Sequence, residues 1–196
     1  MHKVLADARF YSVLLDIDRE LASHARDAGC RCGGRLHVSD YPRRPRGGPP
    51  GLPPGYEKRF SFCCAVMGCR QRATPASVRF LGRRWYLGAV VVIVSMLRQG
   101  ASQRRLASLR EWLGEAVSRQ TIERWRRWWR EAFSESSHWR ASRGRFMPPV
   151  VEASLPLSVL ERFYGDERGR LTAFLRFLGP VTTGSGARSP TGGSRR

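Results

Sequence analysis

All five cysteines of the chain fall into two short clusters, and thiolates at these spacings are typical ligands of zinc. The first cluster contains Cys30 and Cys32, and the second contains Cys63, Cys64 and Cys69. A structural zinc takes four ligands in a tetrahedron, which two cysteine pairs on facing turns can supply. The spacing therefore predicts a zinc site whose ligands are Cys30, Cys32, Cys64 and Cys69.

Several alternatives stay open at the second cluster. Cys63 and Cys64 cannot readily both bind one ion, and Cys64 is preferred because its loop to Cys69 is the shorter one. His37 is a reserve ligand, and five unligated thiols are the plain alternative. A disulfide between adjacent cysteines would be strained. A four-cysteine zinc is closed to substrate, so the site would stabilise the fold without performing chemistry.

A second segment of functional interest is a predicted helix-turn-helix. Helices are expected at about 84–98, 102–113 and 118–133, with Leu113-Gly114 ending the second and Ser118 capping the third. Apolar residues at helical spacing would pack the three together and leave the third free to enter a major groove.

The third predicted helix carries the expected DNA contacts. Its N-terminal residues would contact base edges, where arginine can hydrogen-bond guanine and glutamine can hydrogen-bond adenine. Its later arginines would contact phosphates. The alternative without a specific function is a basic amphipathic helical bundle that binds no ligand. The expected contacts are Ser118, Arg119, Gln120, Thr121, Glu123, Arg124, Arg126, Arg127 and Arg130.

A basic arm lies between the two cysteine clusters. Proline and glycine dominate residues 40–56, which excludes regular structure there. Arg43, Arg44 and Arg46 could follow phosphates or a minor groove, and a solvated loop is the equal alternative.

The charge balance favours a polyanionic partner. The chain has 196 residues and a net charge of +19. Such a surplus attracts nucleic acid first, and an acidic membrane surface or acidic protein second. The longest apolar run, 85–97, is shorter than the about 20 residues that span a bilayer, and no secretory signal is visible. We therefore expect no membrane association and a cytoplasmic, nucleoid-associated protein.

The remaining elements complete a mainly helical α+β fold. A helix is expected at 3–28, strands at 36–38, 59–63 and 77–81, and one or two weaker helices at 156–178 with a break at 165–169. Trp128 and Trp129 are expected in the core. The expected domains are an N-terminal helix (1–29), a zinc ribbon (30–76), a helix-turn-helix unit (84–133), a C-terminal helical region (134–183) and a disordered tail (184–196).

The acidic residues offer little catalytic chemistry. Asp16, Asp18 and Glu20 alternate in sequence, but a helix would spread them around its surface. No Ser/His/Asp set, phosphate loop or spaced carboxylate triad is present. An enzyme is therefore the lesser hypothesis, as a diverged nuclease or transposase that uses Asp16 or Asp18. An RNA- or protein-binding zinc-ribbon adaptor is a further alternative.

Six segments carry a resemblance to a known family: Cys30-Arg-Cys-Gly-Gly, 41–48, 62–70, Thr74-Pro, 77–86 and 118–128. Through them, residues 30 to 133 resemble bacterial mobile-element proteins that join a zinc ribbon to a helix-turn-helix, as at the front of many transposases. The resemblance implies a sequence-selective accessory or transposase-like DNA-recognition protein, bound to double-stranded DNA and working with a transposase or recombinase encoded nearby. The acidic catalytic domain of transposases is not expected in this chain.

Overall fold

The computed structural model describes residues 2–43, 48–81, 87–95 and 118–183. Two helices open the chain, α1 (His2–Ala6) and α2 (Ala8–Asp27). Asp7 separates them and caps α2, because its side chain accepts a hydrogen bond from the N–H of Arg9 at 2.9 Å. Gly29 follows α2 with φ of +70°, a conformation that favours glycine. The expected N-terminal helix is confirmed, with a break at its second turn.

Short antiparallel strands follow α2. Strands β1 (Leu36–Val38), β4 (Phe62–Cys64) and β5 (Arg72–Ala73) form one sheet in the order β1-β4-β5. Strands β2 (Tyr41–Pro42) and β3 (Lys58–Arg59) form a second sheet. The register sets Leu36 opposite Cys64 and Cys63 opposite Arg72. The strand expected at 59–63 is thus split between β3 and β4.

The helical part of the chain follows. Helix α3 spans Gly88–Ser95, and α4 spans Arg119–Trp128 and continues into a π-helical turn, Trp129–Phe133. Ser118 caps α4 by accepting from the N–H of Thr121 at 3.2 Å. Helices α5 (Ser137–Ser142), α6 (Leu157–Leu160) and α7 (Glu167–Leu178) complete the set, with 3-10 turns at Arg143–Arg145, Glu152–Ser154 and Gly179–Thr183.

One apolar cluster joins the N-terminal helices to the helical part. Large aromatic side chains fill it: Trp125, Trp129, Trp139, Phe133 and Phe174 are fully buried. Their rings make edge and stacked contacts, such as 5.0 Å between the centroids of Trp129 and Phe133. Trp128 is also buried, so both expected core tryptophans lie in the core.

Three expectations about secondary structure need correction. Residues 40–56 do include regular structure, because Tyr41–Pro42 forms β2 and pairs with β3. Residues 77–81 form no strand, since only an isolated bridge joins Phe80 to Leu87, and the segment instead turns around the Ser77 hydroxyl. The expected break at 165–169 ends early, because Asp166 caps α7 by accepting from the N–H of Gly169. The predicted helix at 102–113, its turn, the ends of the helix at 84–98 and the tail at 184–196 lie outside the described residues.

None of the described helices combines the length and the apolar character needed to cross a membrane.

Candidate metal centre and nucleic-acid interface

The first cysteine turn is closed by its own backbone. The N–H of Cys30 donates to the carbonyl of Gly34 at 3.0 Å, and the N–H of Gly33 donates to the carbonyl of Cys30 at 2.8 Å. Gly33 has φ of +81°, which a side chain would strain. This turn directs the thiols of Cys30 and Cys32 to one side.

The second cysteine turn begins where β4 ends. The N–H of Cys69 donates to the carbonyl of Val66 at 3.1 Å, and Gly68 has φ of +91°. The two turns meet because β1 pairs with β4, and the N–H of Ala65 extends this pairing by donating to the carbonyl of Arg35 at 2.9 Å.

The four thiols of these turns form one compact group. The Sγ atoms of Cys30 and Cys69 are 3.7 Å apart, and those of Cys32 and Cys64 are 3.5 Å apart. All four sulfurs lie within 4.8 Å of one another. Four sulfurs around a zinc at about 2.3 Å would be separated by roughly 3.8 Å. The four cysteines are therefore positioned to bind a metal ion of this size.

Backbone N–H groups prepare the sulfurs for negative charge. Hydrogen bonds from the N–H of Gly34, then from the other three thiols, lower the pKa of Cys32 to about 7. At Cys64 the N–H of Val66 lowers the pKa, but burial and the neighbouring thiols outweigh it and raise the pKa to about 12. Cys32 therefore carries a negative charge more readily than Cys64, and a cation among the sulfurs would stabilise several thiolates so close together.

Cys63 does not join the group. Alternation along β4 turns its side chain away from Cys64, and its thiol faces the carbonyl of Arg70 at 3.6 Å. His37 lies opposite Cys63 on β1 and is exposed. Neither the fifth cysteine nor the reserve histidine is part of the four-thiol group, which contains the four cysteines expected from spacing.

Gly34 packs between the two turns, a role that sequence spacing did not indicate. A Cβ atom on this residue would lie 2.5 Å from Val66 Cγ2, 2.8 Å from Cys64 Sγ and 3.3 Å from Cys32 Sγ. The glycine-glycine pair therefore does two separate things: Gly33 makes the turn and Gly34 leaves room for the sulfurs.

Helix α4 presents one polar and one apolar face. Ile122 and Trp125 are fully buried on the inner side. Nearly all the expected DNA-contacting residues lie on the outer face of α4, where Arg126 is half-buried and the others are exposed. These residues are Ser118, Arg119, Gln120, Glu123, Arg124, Arg126, Arg127 and Arg130. Thr121 differs, since it is buried and its Oγ1 lies 3.0 Å from Ser118 Oγ. It supports the cap and does not share the outer face.

Two acids moderate the basic face of α4. Glu123 pairs with Arg126 at 3.3 Å, and Glu131 approaches Arg127 at 4.0 Å. Arg119 and Arg130 remain exposed at opposite ends of the segment. Of the basic arm, Arg43 is described and contacts Tyr41, while Arg44 and Arg46 lie outside the described residues.

The expectation that Asp18 lies on the surface was wrong. Its carboxylate is buried, accepts from Arg79 Nε at 2.7 Å and also accepts from the N–H of Val78 at 2.7 Å. Arg79 is itself fully buried and donates to the carbonyl of Tyr56 at 2.8 Å. A sequence signal existed, because Asp18 follows the buried Leu14 by one helical turn and precedes the buried Ala22 by another.

Among the described residues, the four cysteines form the one group of three or more metal-ligating side chains close enough to share an ion. The function has to be argued from this group and from the basic face of α4, since no protein-family model, no curated protein and no solved structure matches the chain.

Proposed function

We propose that this chain is a zinc-stabilised, sequence-selective DNA-binding protein that serves a bacterial mobile element. The observation that carries the proposal is the outer face of α4, where exposed arginines line a helix whose other face is buried in aromatic packing. A helix anchored in this way can enter a major groove without losing its own support.

Zinc suits the four-thiol group better than calcium or magnesium does. Calcium and magnesium prefer oxygen ligands, whereas four thiolates in a tetrahedron are typical of structural zinc. With Cys30, Cys32, Cys64 and Cys69 as ligands, no position is left for a substrate. The metal would therefore hold the two turns together and supply much of the folding free energy of this small region.

The two ends of α4 would do different work on DNA. Arg119 and Gln120 lie at its N-terminal end, where recognition helices usually meet base edges. Arg127 and Arg130 lie further along and suit phosphate contacts, which set affinity more than specificity. With double-stranded DNA as its partner, the protein would act at the nucleoid, together with the transposase or recombinase that the resemblance implies.

The contacts of Asp18 and Asp16 favour the DNA-binding proposal over the nuclease hypothesis. Asp18 is committed to Arg79, and Asp16 pairs with Arg19 at 2.8 Å on the exposed side of α2. The adaptor hypothesis draws on one observation, the exposed apolar tip of the second cysteine turn, where Met67 is 84% exposed. It predicts binding that does not depend on α4.

The test is selection of binding sites from random double-stranded DNA, followed by affinity measurements at several salt concentrations. Arg119→Ala should relax the base preference of the selected site. Arg127→Ala should weaken binding to all sequences and lower the magnitude of the salt slope by about 0.9. Arg9→Ala, an equal charge change at an exposed position on α2, is the matched control.

Two outcomes contradict the proposal. If no site is enriched, or if Arg119→Ala leaves an enriched site unchanged, then α4 does not recognise DNA sequence. If Arg9→Ala weakens binding as much as Arg127→Ala, then the attraction comes from overall charge and not from this face.

A further inference from the structure

Two guanidinium groups lie over the ring of Tyr41 at the start of the basic arm. The guanidinium carbon of Arg43 lies 5.0 Å from the centroid of the Tyr41 ring, and that of Arg72 lies 5.8 Å from it. Arg43 Nη2 also donates to the Tyr41 hydroxyl at 3.4 Å. Both arginines are within the range at which a cation is attracted to an aromatic face.

Arg72 is held in place by neutral acceptors. Its Nη1 donates to the carbonyl of Ser39 at 3.3 Å and to Ser61 Oγ at 3.2 Å, and its Nη2 donates to Ser39 Oγ at 3.3 Å. None of the ion pairs between described residues includes Arg72. The side chain is thus oriented while its positive charge stays uncompensated by a direct partner.

The remaining donors of Arg72 suit a tetrahedral anion. An arginine has five N–H donors, and three take part in the bonds to Ser39 and Ser61. The other two are the Nε–H and one Nη2–H, which share an edge of the planar group. Arg72 is exposed, so this edge can donate two hydrogen bonds to two oxygens of one phosphate.

The nearest acids in sequence do not cancel this charge directly. Asp40 points its Oδ1 at the N–H of Ser61, at 2.9 Å. Glu57 is exposed beside Lys58, which is itself exposed on β3 opposite Pro42. Lys58 and Arg72 therefore place two positive charges on this edge of the strands.

We propose that Arg72, Arg43 and Tyr41 form a clamp for the phosphodiester backbone of double-stranded DNA. The inference rests on the proposed function and adds to it a second contact, on the strands that carry the thiols. Arg72 faces Cys63 across β4 and β5, and Cys64 is the next residue of β4. The metal that joins the cysteine turns would therefore also hold Arg72 in position.

The experiment measures DNA affinity of the metal-loaded full chain over a range of salt concentrations. Arg72→Ala should lower the magnitude of the salt slope by about 0.9, as expected for one lost phosphate contact. Arg72→Lys keeps the charge but loses the fork, so the slope should return while the affinity stays below that of the wild type. Tyr41→Leu should weaken binding in the same direction, since the ring no longer orients the arginines.

Arg35→Ala is the matched control, because Arg35 is exposed on the same group of strands and the charge change is equal. Metal content and thermal midpoint of each variant exclude loss of the fold as the cause. Equal effects of Arg35→Ala and Arg72→Ala overturn the clamp. An unchanged slope in Arg72→Ala also overturns it, even where Arg127→Ala retains its effect.

Failure of the clamp and failure of the proposed function give different results. If Arg72→Ala lowers the slope while the α4 variants do nothing, the clamp stands and recognition by α4 falls. If the wild type does not bind DNA at all, both fall. Binding to phosphatidylserine vesicles with the same dependence on Arg72, and none to DNA, overturns the assignment of the phosphate to DNA.

Discussion

Two regions of this chain obtain their stability from different sources. The cysteine module (residues 29–43 and 48–76) contains strands two or three residues long, and its small buried cluster consists of Leu36, Phe62 and Cys64, packed against Ala22 of α2. The helical unit (α3 to α7) belongs to a cluster of thirty buried residues. Such short strands with so small a core do not persist alone. We therefore expect a metal that joins the four thiols to stabilise the cysteine module, whereas apolar packing stabilises the helical unit.

A buried ion pair connects the two regions. Asp18 belongs to α2, and Arg79 follows the last strand of the cysteine module. Arg79 donates to the carbonyls of Tyr56 and Lys58, and its guanidinium carbon lies 4.8 Å from the centroid of the Phe60 ring. One side chain thus fixes the second half of the cysteine module against the helices, and the two sources of stability meet at this point.

The largest expected effect concerns the metal and separates the two regions most sharply. Cys64→Ser should abolish stoichiometric zinc binding and unfold the cysteine module, because structural zinc supplies about 10–16 kcal/mol in small domains. Elemental analysis of protein purified without added metal measures the zinc. Four of the six tryptophans, Trp125, Trp128, Trp129 and Trp139, are buried in the helical unit, so tryptophan fluorescence reports mainly on that unit. It should change little.

Cys63→Ser is the control one residue away. Its thiol faces the carbonyl of Arg70 and not the other sulfurs, so this variant should keep one zinc per chain. Zinc retained in Cys64→Ser, or lost in Cys63→Ser, would show that the ligand set is wrong. A collapse of tryptophan fluorescence on zinc removal would show that the regions do not have separate sources of stability.

The second effect concerns the connection between the regions. Asp18→Asn removes the charge that compensates the buried Arg79, which typically costs about 3–5 kcal/mol. Asp16→Asn, two residues earlier, breaks only an exposed pair with Arg19 and should cost less than about 1 kcal/mol. Urea denaturation of the zinc-loaded protein gives both values. If the two variants lower the free energy of unfolding equally, the buried ion pair is not what links the two regions.

Residue type and spacing were enough to predict the four-thiol group and the cap of α4. All five cysteines of the chain lie in two short clusters, and each pair of the four-thiol group lies on a turn made by nearby glycines. Local sequence therefore carries the information. Ser118 likewise stands directly before an apolar stripe of helical period. The capping residues are only a few positions apart in sequence, and the thiol group is marked by a rare residue type.

The contacts that sequence reasoning missed join residues far apart in the chain. Asp18 and Arg79 are 61 positions apart, and each is of a residue type that usually lies on the surface. The approach of Gly34 to Val66 depends on the register of β1 and β4, and that of Arg72 to Tyr41 depends on the strands between them. The local conformational preferences of residues carry no information about such distant pairs, so only the folded structure reveals them.

The smallest effect tests the packing around the sulfurs. Gly34→Ala introduces a Cβ 2.5 Å from Val66 Cγ2 and 2.8 Å from Cys64 Sγ, so the Val66 side chain and the Cys64 thiol must shift. Disturbing groups that support metal ligands typically lowers affinity about 10–100-fold, and competition with a chromophoric chelator measures the loss. Gly33→Ala, which meets no atom within 4 Å, should lose less through turn strain alone. Adding Val66→Ala to Gly34→Ala removes the closest contact and should restore part of the affinity. If Gly33→Ala proves the more damaging variant, the turn conformation limits metal binding and the space beside the sulfurs does not.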